Sequence, residues 1–158
     1  MSATGRRSVA HAGFTLVRDY PVPVGEVWAA FAEEDRKREW FGESLEWETG
    51  EWRFDFRVGG RDVAVGAFHG GPVSRFEATY TDIVAPERIV VTYDMWLDDT
   101  HISTSVVSYE FEEIEGGTRF THGEHGIHLD GFDDGSMRER GSEGVLDRLG
   151  SFLASRRG

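Results

Sequence analysis

The stretch Phe54-Asp55-Phe56-Arg57-Val58-Gly59-Gly60 constrains this chain more than any other. Its apolar side chains alternate with polar ones, as in a half-buried strand. The glycine pair then lets the backbone turn where a side chain would clash. Alternation resumes at Val63, Val65 and Ala67, so the segment reads as a hairpin. Further strands are expected over Phe76–Val84, Ile89–Leu97, His101–Ile114 and Thr118–His125. Pro86-Glu87-Arg88, Asp98-Asp99 and Gly116-Gly117 supply the turns between them.

Helices bracket this meander. After a first strand marked by Phe14, Leu16 and Tyr20, Val24, Val27, Trp28 and Phe31 recur at helical spacing, and a second short helix runs from Glu33 to Trp40, stopped at Gly42. A loop, Gly126 to Gly135, leads to a capping-box pattern at Ser136…Glu139 and a last helix reaching about Ser155. Val145, Leu146, Leu149, Phe152 and Leu153 form its apolar stripe. The order β-α-α-β-β-β-β-β-β-α is an α+β layout, a curved antiparallel sheet gripping a long C-terminal helix. Residues 1–12 are expected to be a flexible tail and 13–158 a single domain.

Composition excludes several functions. There is no cysteine, hence no disulfide, thiolate metal site or cysteine nucleophile. With 29 acidic and 17 basic residues the net charge is −12, which disfavours nucleic acid as a partner. Arg36-Lys37-Arg38, set among acidic residues, reads as a solvated helix face. No apolar run approaches a membrane span, and Arg6-Arg7 is not followed by an export signal, so the expected location is the cytoplasm. Nothing calls for a cofactor. His122, His125 and His128 invite a metal reading, but the spacing fits no known ligand pattern, with His128 expected in the loop. Asp98-Asp99 and Asp133-Asp134 read as turn and pre-cap carboxylates.

Several local motifs, in order, resemble the activator-of-Hsp90-ATPase-like branch of the START-like (SRPBCC, Bet v 1-like) superfamily. They are Val27-Trp28, Trp40-Phe41-Gly42, Asp55-x-Arg57-x-Gly59-Gly60, Pro86-Glu87-Arg88-Ile89, Gly117-Thr118-Arg119-Phe120 and Leu146-x-x-Leu149, spread over residues 13–155. The resemblance implies a helix-grip fold with a cavity between sheet and C-terminal helix. Superfamily members hold lipids, polyketides, hormones or other apolar ligands, and some are cyclases or hydrolases.

Strand parity suggests the cavity's walls. If Val107, Tyr109 and Phe111 face the helix, so do His101, Ser103 and Ser105; if Phe120 faces inward, so do His122 and Glu124. Tyr93 and Met95 belong to the inward set of their strand. Trp40, Phe41 and Trp96 are candidates for an aromatic rim. Gly141, Ser142 and Gly144 leave room beneath the last helix, beside Val145; close helix–sheet packing would explain the glycines equally well. The leading expectation is a protein that binds a small apolar or aromatic molecule, its polar end near His101, Ser105, His122 and Glu124. The alternatives are a cyclase- or hydrolase-type enzyme with His122 or Glu124 as acid–base, and a partner-binding or homodimerising module, with Hsp90 stimulation as its specific form.

Overall fold

The structure, a computed structural model, describes residues 7–41 and 47–157. The expected stop at Gly42 and the first six residues of the tail lie outside the described residues. Ten elements follow in the expected order: β1 (Val9–Tyr20), α1 (Val24–Ala32), α2 (Glu34–Trp40), β2 (Trp47–Arg53), β3 (Arg61–Phe68), β4 (Ser74–Val84), β5 (Arg88–Leu97), β6 (Thr100–Ile114), β7 (Gly117–Leu129) and α3 (Ser136–Arg157). The strands form one antiparallel sheet in the order β1-β7-β6-β5-β4-β3-β2. This is the helix-grip arrangement, with α3 against the sheet's inner face.

The core follows from the two helical stripes. Val27, Ala30 and Phe31 of α1 are buried, and Phe31 stacks on Phe120 while meeting Trp40 and Phe111 edge-on. From α3, Leu146, Leu149, Phe152 and Leu153 complete the core, and the Tyr20 hydroxyl donates to the Leu146 carbonyl at 2.8 Å. Burying these aromatic and aliphatic groups supplies most of the folding free energy.

Four expectations need correction. Residues 9–12 are not tail but the start of β1, which pairs with β7 without interruption from Val9↔Leu129 to Tyr20↔Thr118. The same pairing carries β7 past His125, so Gly126, Ile127 and His128 lie in the sheet rather than in a loop. Phe54 and Phe56 lie beyond the end of β2: the strand closes at Arg53, and Phe56 folds back against Trp28 and Tyr80. The Gly59-Gly60 break is real. Gly59 has φ +86°, and a β-carbon at Gly60 would fall 2.1 Å from the Asp55 carbonyl oxygen.

The fourth correction is Lys37. Its face of α2 is not solvated; the side chain is buried, with Nζ 2.8 Å from Asp62 Oδ2 and 3.3 Å from the Tyr80 hydroxyl. Arg36 keeps the expected surface role, pairing with Glu26 and Glu33. No helix of the described residues is long and apolar enough to cross a membrane.

Candidate functional site

Beneath the first half of α3 lies a cavity of about 390 Å³. The sheet contributes Phe76, Tyr93, Met95, Tyr109, His122 and Glu124; α1 and the end of α2 contribute Phe31, Trp40 and Phe41; α3 contributes Met137, Arg138, Gly141, Ser142, Val145, Leu146 and Arg148. Most of this wall is aromatic or aliphatic. Most of its polar groups gather where β5, β7 and the start of α3 meet, with Arg148 apart from them further along α3.

The helix-side glycines now divide. Beyond their own helix backbone, no atom lies within 4 Å of where a β-carbon would stand at Gly141 or Gly144, so close packing explains neither. Gly141 borders the cavity. Gly150 is the one of the three that sits tightly, with Tyr20 Cε1 at 3.2 Å from that point.

Cross-strand register builds the polar end. Val107 pairs with Glu124, Tyr109 with His122 and Ser105 with Gly126 across β6 and β7, while Tyr93 pairs with Ser105 across β5 and β6. These residues therefore share the inner face. Ser103, Ser105 and Gly126 form a low patch; a β-carbon at Gly126 would come 2.4 Å from Ser105 Oγ. Arg138 reaches down into that patch. Its Nη2 donates to Ser103 Oγ at 2.8 Å and its Nη1 to the Tyr93 hydroxyl at 2.8 Å, with Ser105 Oγ at 3.5 Å. Glu124 Oε2 lies 3.6 Å from Nη1 and accepts a short bond from the Tyr93 hydroxyl. His122 Nε2 is 2.9 Å from Glu124 Oε1.

The electrostatics follow from this wiring. Burial pushes the Glu124 carboxyl upward, but the bonds from His122 and Tyr93 and the nearby positive charge of Arg138 outweigh it, leaving the group below its ordinary value. Burial raises the Tyr93 phenol, and the Glu124 charge raises it further against the pull of Arg138. His122 Nδ1 is buried with no partner among the described residues. His128, on the same face of β7, is pushed down by burial and by Arg138, against the opposing pull of Asp133.

Arg138 is held from behind. Asp133 accepts the backbone N–H groups of Gly135, Met137 and Arg138 and so caps α3. The expected capping box is replaced: the Ser136 hydroxyl donates to Asp134 at 2.7 Å instead. Burial raises the Asp133 carboxyl, and the three backbone bonds bring it below its ordinary value.

Of the expected lining residues, Trp40, Phe41, Tyr93, Met95, His122, Glu124, Gly141 and Val145 border the cavity, and Ser103 and Ser105 lie beneath Arg138. His101 does not join them. The β5–β6 register shifts between Met95 and Trp96, which turns His101 to the outer face, where it meets Asp94, Thr104 and the ring of Trp96. Trp96 is therefore no part of a rim. His125 lies on the outer face, over Gly13, whereas His122 and His128 face inward; among the described residues no three histidine, aspartate or glutamate side chains converge on one point.

Arg138 escaped the sequence reading. Two signals pointed to it: it stands three and seven residues before Gly141 and Val145, on the inner stripe of α3, and the inward Ser103, Ser105 and Glu124 offer acceptors with no donor assigned.

A sequence profile of the activator of Hsp90 ATPase homolog 1-like proteins matches residues 21–154. The chain belongs to this family. A protein from Rhizobium leguminosarum shares 35% identity, with 95% of this chain and 99% of that one aligned at a TM-score of 0.91. The Mll3558 protein of Rhizobium loti shares 37% identity over 92% of this chain and 99% of its own, with a TM-score of 0.85. An activator of Hsp90 ATPase homolog 1-like protein from Aeromonas hydrophila, 23% identical over 92% of this chain and 94% of that one, has the same fold at a TM-score of 0.68. No functionally curated protein matches the chain. The family's fold is consistent with ligand binding and leaves the ligand open.

Proposed function

We propose that the protein binds a small, largely apolar or aromatic molecule beneath α3, where any neutral polar group on it would face Arg138, Tyr93 and His122. The observation that carries this reading is the cavity itself, about 390 Å³ of space walled mainly by aromatic and aliphatic side chains and left unfilled at Gly141. Burial of apolar ligand surface, at ~25 cal/mol per Å² before ordering costs, is the main source of affinity. Glu124 has both oxygens engaged and a carboxyl held below its ordinary value, which makes it a weak proton acceptor. That favours binding over acid–base catalysis in this cavity.

The test uses 1-pyrenebutanol, a neutral aromatic probe with a polar tail. Wild-type protein is expected to enhance its fluorescence and to melt at a higher temperature in its presence. Val145→Trp, which places an indole in the cavity, is expected to abolish both effects while the protein stays folded by circular dichroism. Unchanged probe binding in the folded Val145→Trp variant would refute the reading.

A further inference from the structure

The arginines of this acidic chain are mostly neutralised. Arg36 pairs with Glu26 and Glu33, Arg88 with Asp82 and Arg119 with Asp19. Arg138, at the inner end of the cavity, has Glu124 at 3.6 Å. Arg148 is different. It borders the same cavity, yet no carboxylate among the described residues pairs with it. Its bond is from Nε to the Trp40 carbonyl at 3.2 Å, at the end of α2. That bond anchors the guanidinium and leaves its four Nη hydrogens without a protein acceptor among the described residues.

The two arginines are ten positions apart on α3, about 15 Å along the helix axis. The Arg138 side chain is mostly buried and Arg148 is exposed, so Arg148 stands at a mouth of the cavity, as Met137 does near the start of α3. A ligand anion at the inner end would sit beside the Glu124 carboxylate and be repelled in a poorly solvated space. At the mouth, the same anion meets a pre-anchored guanidinium with two parallel donors, a geometry suited to a carboxylate.

We infer that the occupant is an amphiphilic oxyanion: an apolar or aromatic body inside the cavity, a neutral acceptor or none at the Arg138 end, and a carboxylate-type group at Arg148. This rests on the cavity-binding reading above and adds the charge and direction of the ligand.

The experiment compares 1-pyrenebutyrate with 1-pyrenebutanol, which share ring and tail and differ in the terminal group. Dissociation constants are measured by fluorescence titration at low salt, where charge at the mouth is least screened. Wild-type protein is expected to prefer the butyrate by about tenfold. Arg148→Gln, whose amide can still reach the Trp40 carbonyl, is expected to erase that preference by weakening the butyrate about tenfold more than the butanol. Equal binding of both probes by the wild type, or a preference that survives Arg148→Gln, would overturn the inference and leave the cavity reading standing. Failure of both probes to bind, or binding of both that ignores Val145→Trp, would sink the cavity reading and the inference together.

Discussion

Lys37, Asp62 and Tyr80 form one buried set of cation, carboxylate and phenol; Arg138, Glu124 and Tyr93 form another. In the first, the groups close on one another. The ammonium and the phenol both bind Asp62 Oδ2, at 2.8 and 2.5 Å, and the rings of Phe41 and Phe54 lie 4.9 and 5.6 Å from Nζ. None of the three borders the cavity. In the second, a planar guanidinium with five donors spreads over Tyr93, Ser103, Ser105 and Glu124 and still borders open space. A compact ammonium ties α2 to β3 and β4 as a clamp. A wide guanidinium ties α3 to β5 and β6 and leaves part of itself facing the cavity. Similar chemistry thus becomes structure in one place and a candidate site in the other according to what the set borders: Asp62 Oδ1 is buried with no partner among the described residues, yet only the second set lines the cavity.

The sharpest way to break this comparison is to remove Lys37. Lys37→Met leaves the Asp62 carboxylate buried without its cation and is expected to cost about 3–5 kcal/mol in urea unfolding. Replacing both partners, Lys37→Met with Asp62→Leu, is expected to recover most of that loss. If the first cluster is only a clamp, the folded double variant binds 1-pyrenebutanol within twofold of wild type. A large loss of probe binding there would make the clamp part of the site.

Glu124→Gln tests the second cluster with a smaller effect, about 2 kcal/mol, because the amide keeps the shape and loses the charge that His122, Tyr93 and Arg138 address. The pH dependence has a definite sign. The carboxyl's value in the folded protein lies below its ordinary 4.5, so its contribution is present above that value and is lost as pH falls through the folded one. Wild-type protein should therefore lose stability more steeply than Glu124→Gln on acidification below about 4.5. Parallel acid limbs would show that the carboxylate is not held as the geometry indicates.

Which of these features could be read from the sequence follows from how local their causes are. Val24, Val27, Trp28 and Phe31 announce α1, and Leu146, Leu149 and Leu153 announce α3, because helical burial repeats at fixed spacing. His122 and Glu124 were legible because parity from Phe120 carries them inward without a break. His101 was not, because a single register shift beside Trp96 turns it outward, and shifts of this kind leave no mark in alternation. Phe54 and Phe56 alternate like a strand, but Phe56 is claimed by Trp28 and Tyr80 and Phe54 lies against the Lys37 ammonium, partners distant in sequence. Lys37 looked solvated because its neighbours are charged; its burial depends on Asp62, 25 residues away.

The contrast narrows last to two glycines on one helix. Gly141 and Gly144 both sit in α3 with open space where a β-carbon would stand, but only Gly141 borders the cavity. Alanine at either position is expected to stabilise the helix by about 1 kcal/mol, since glycine is the poorer helix former. Thermal melting should therefore rise similarly for Gly141→Ala and Gly144→Ala. Their effects on 1-pyrenebutanol should separate: Gly141→Ala takes ligand space and weakens binding a few-fold, while Gly144→Ala leaves it unchanged. A glycine that costs the helix stability in both places, yet serves the cavity in only one, would mark Gly141 as the position where α3 gives up helix stability for room. Equal binding by the two variants would place the ligand elsewhere along the cavity, away from the small residues of α3.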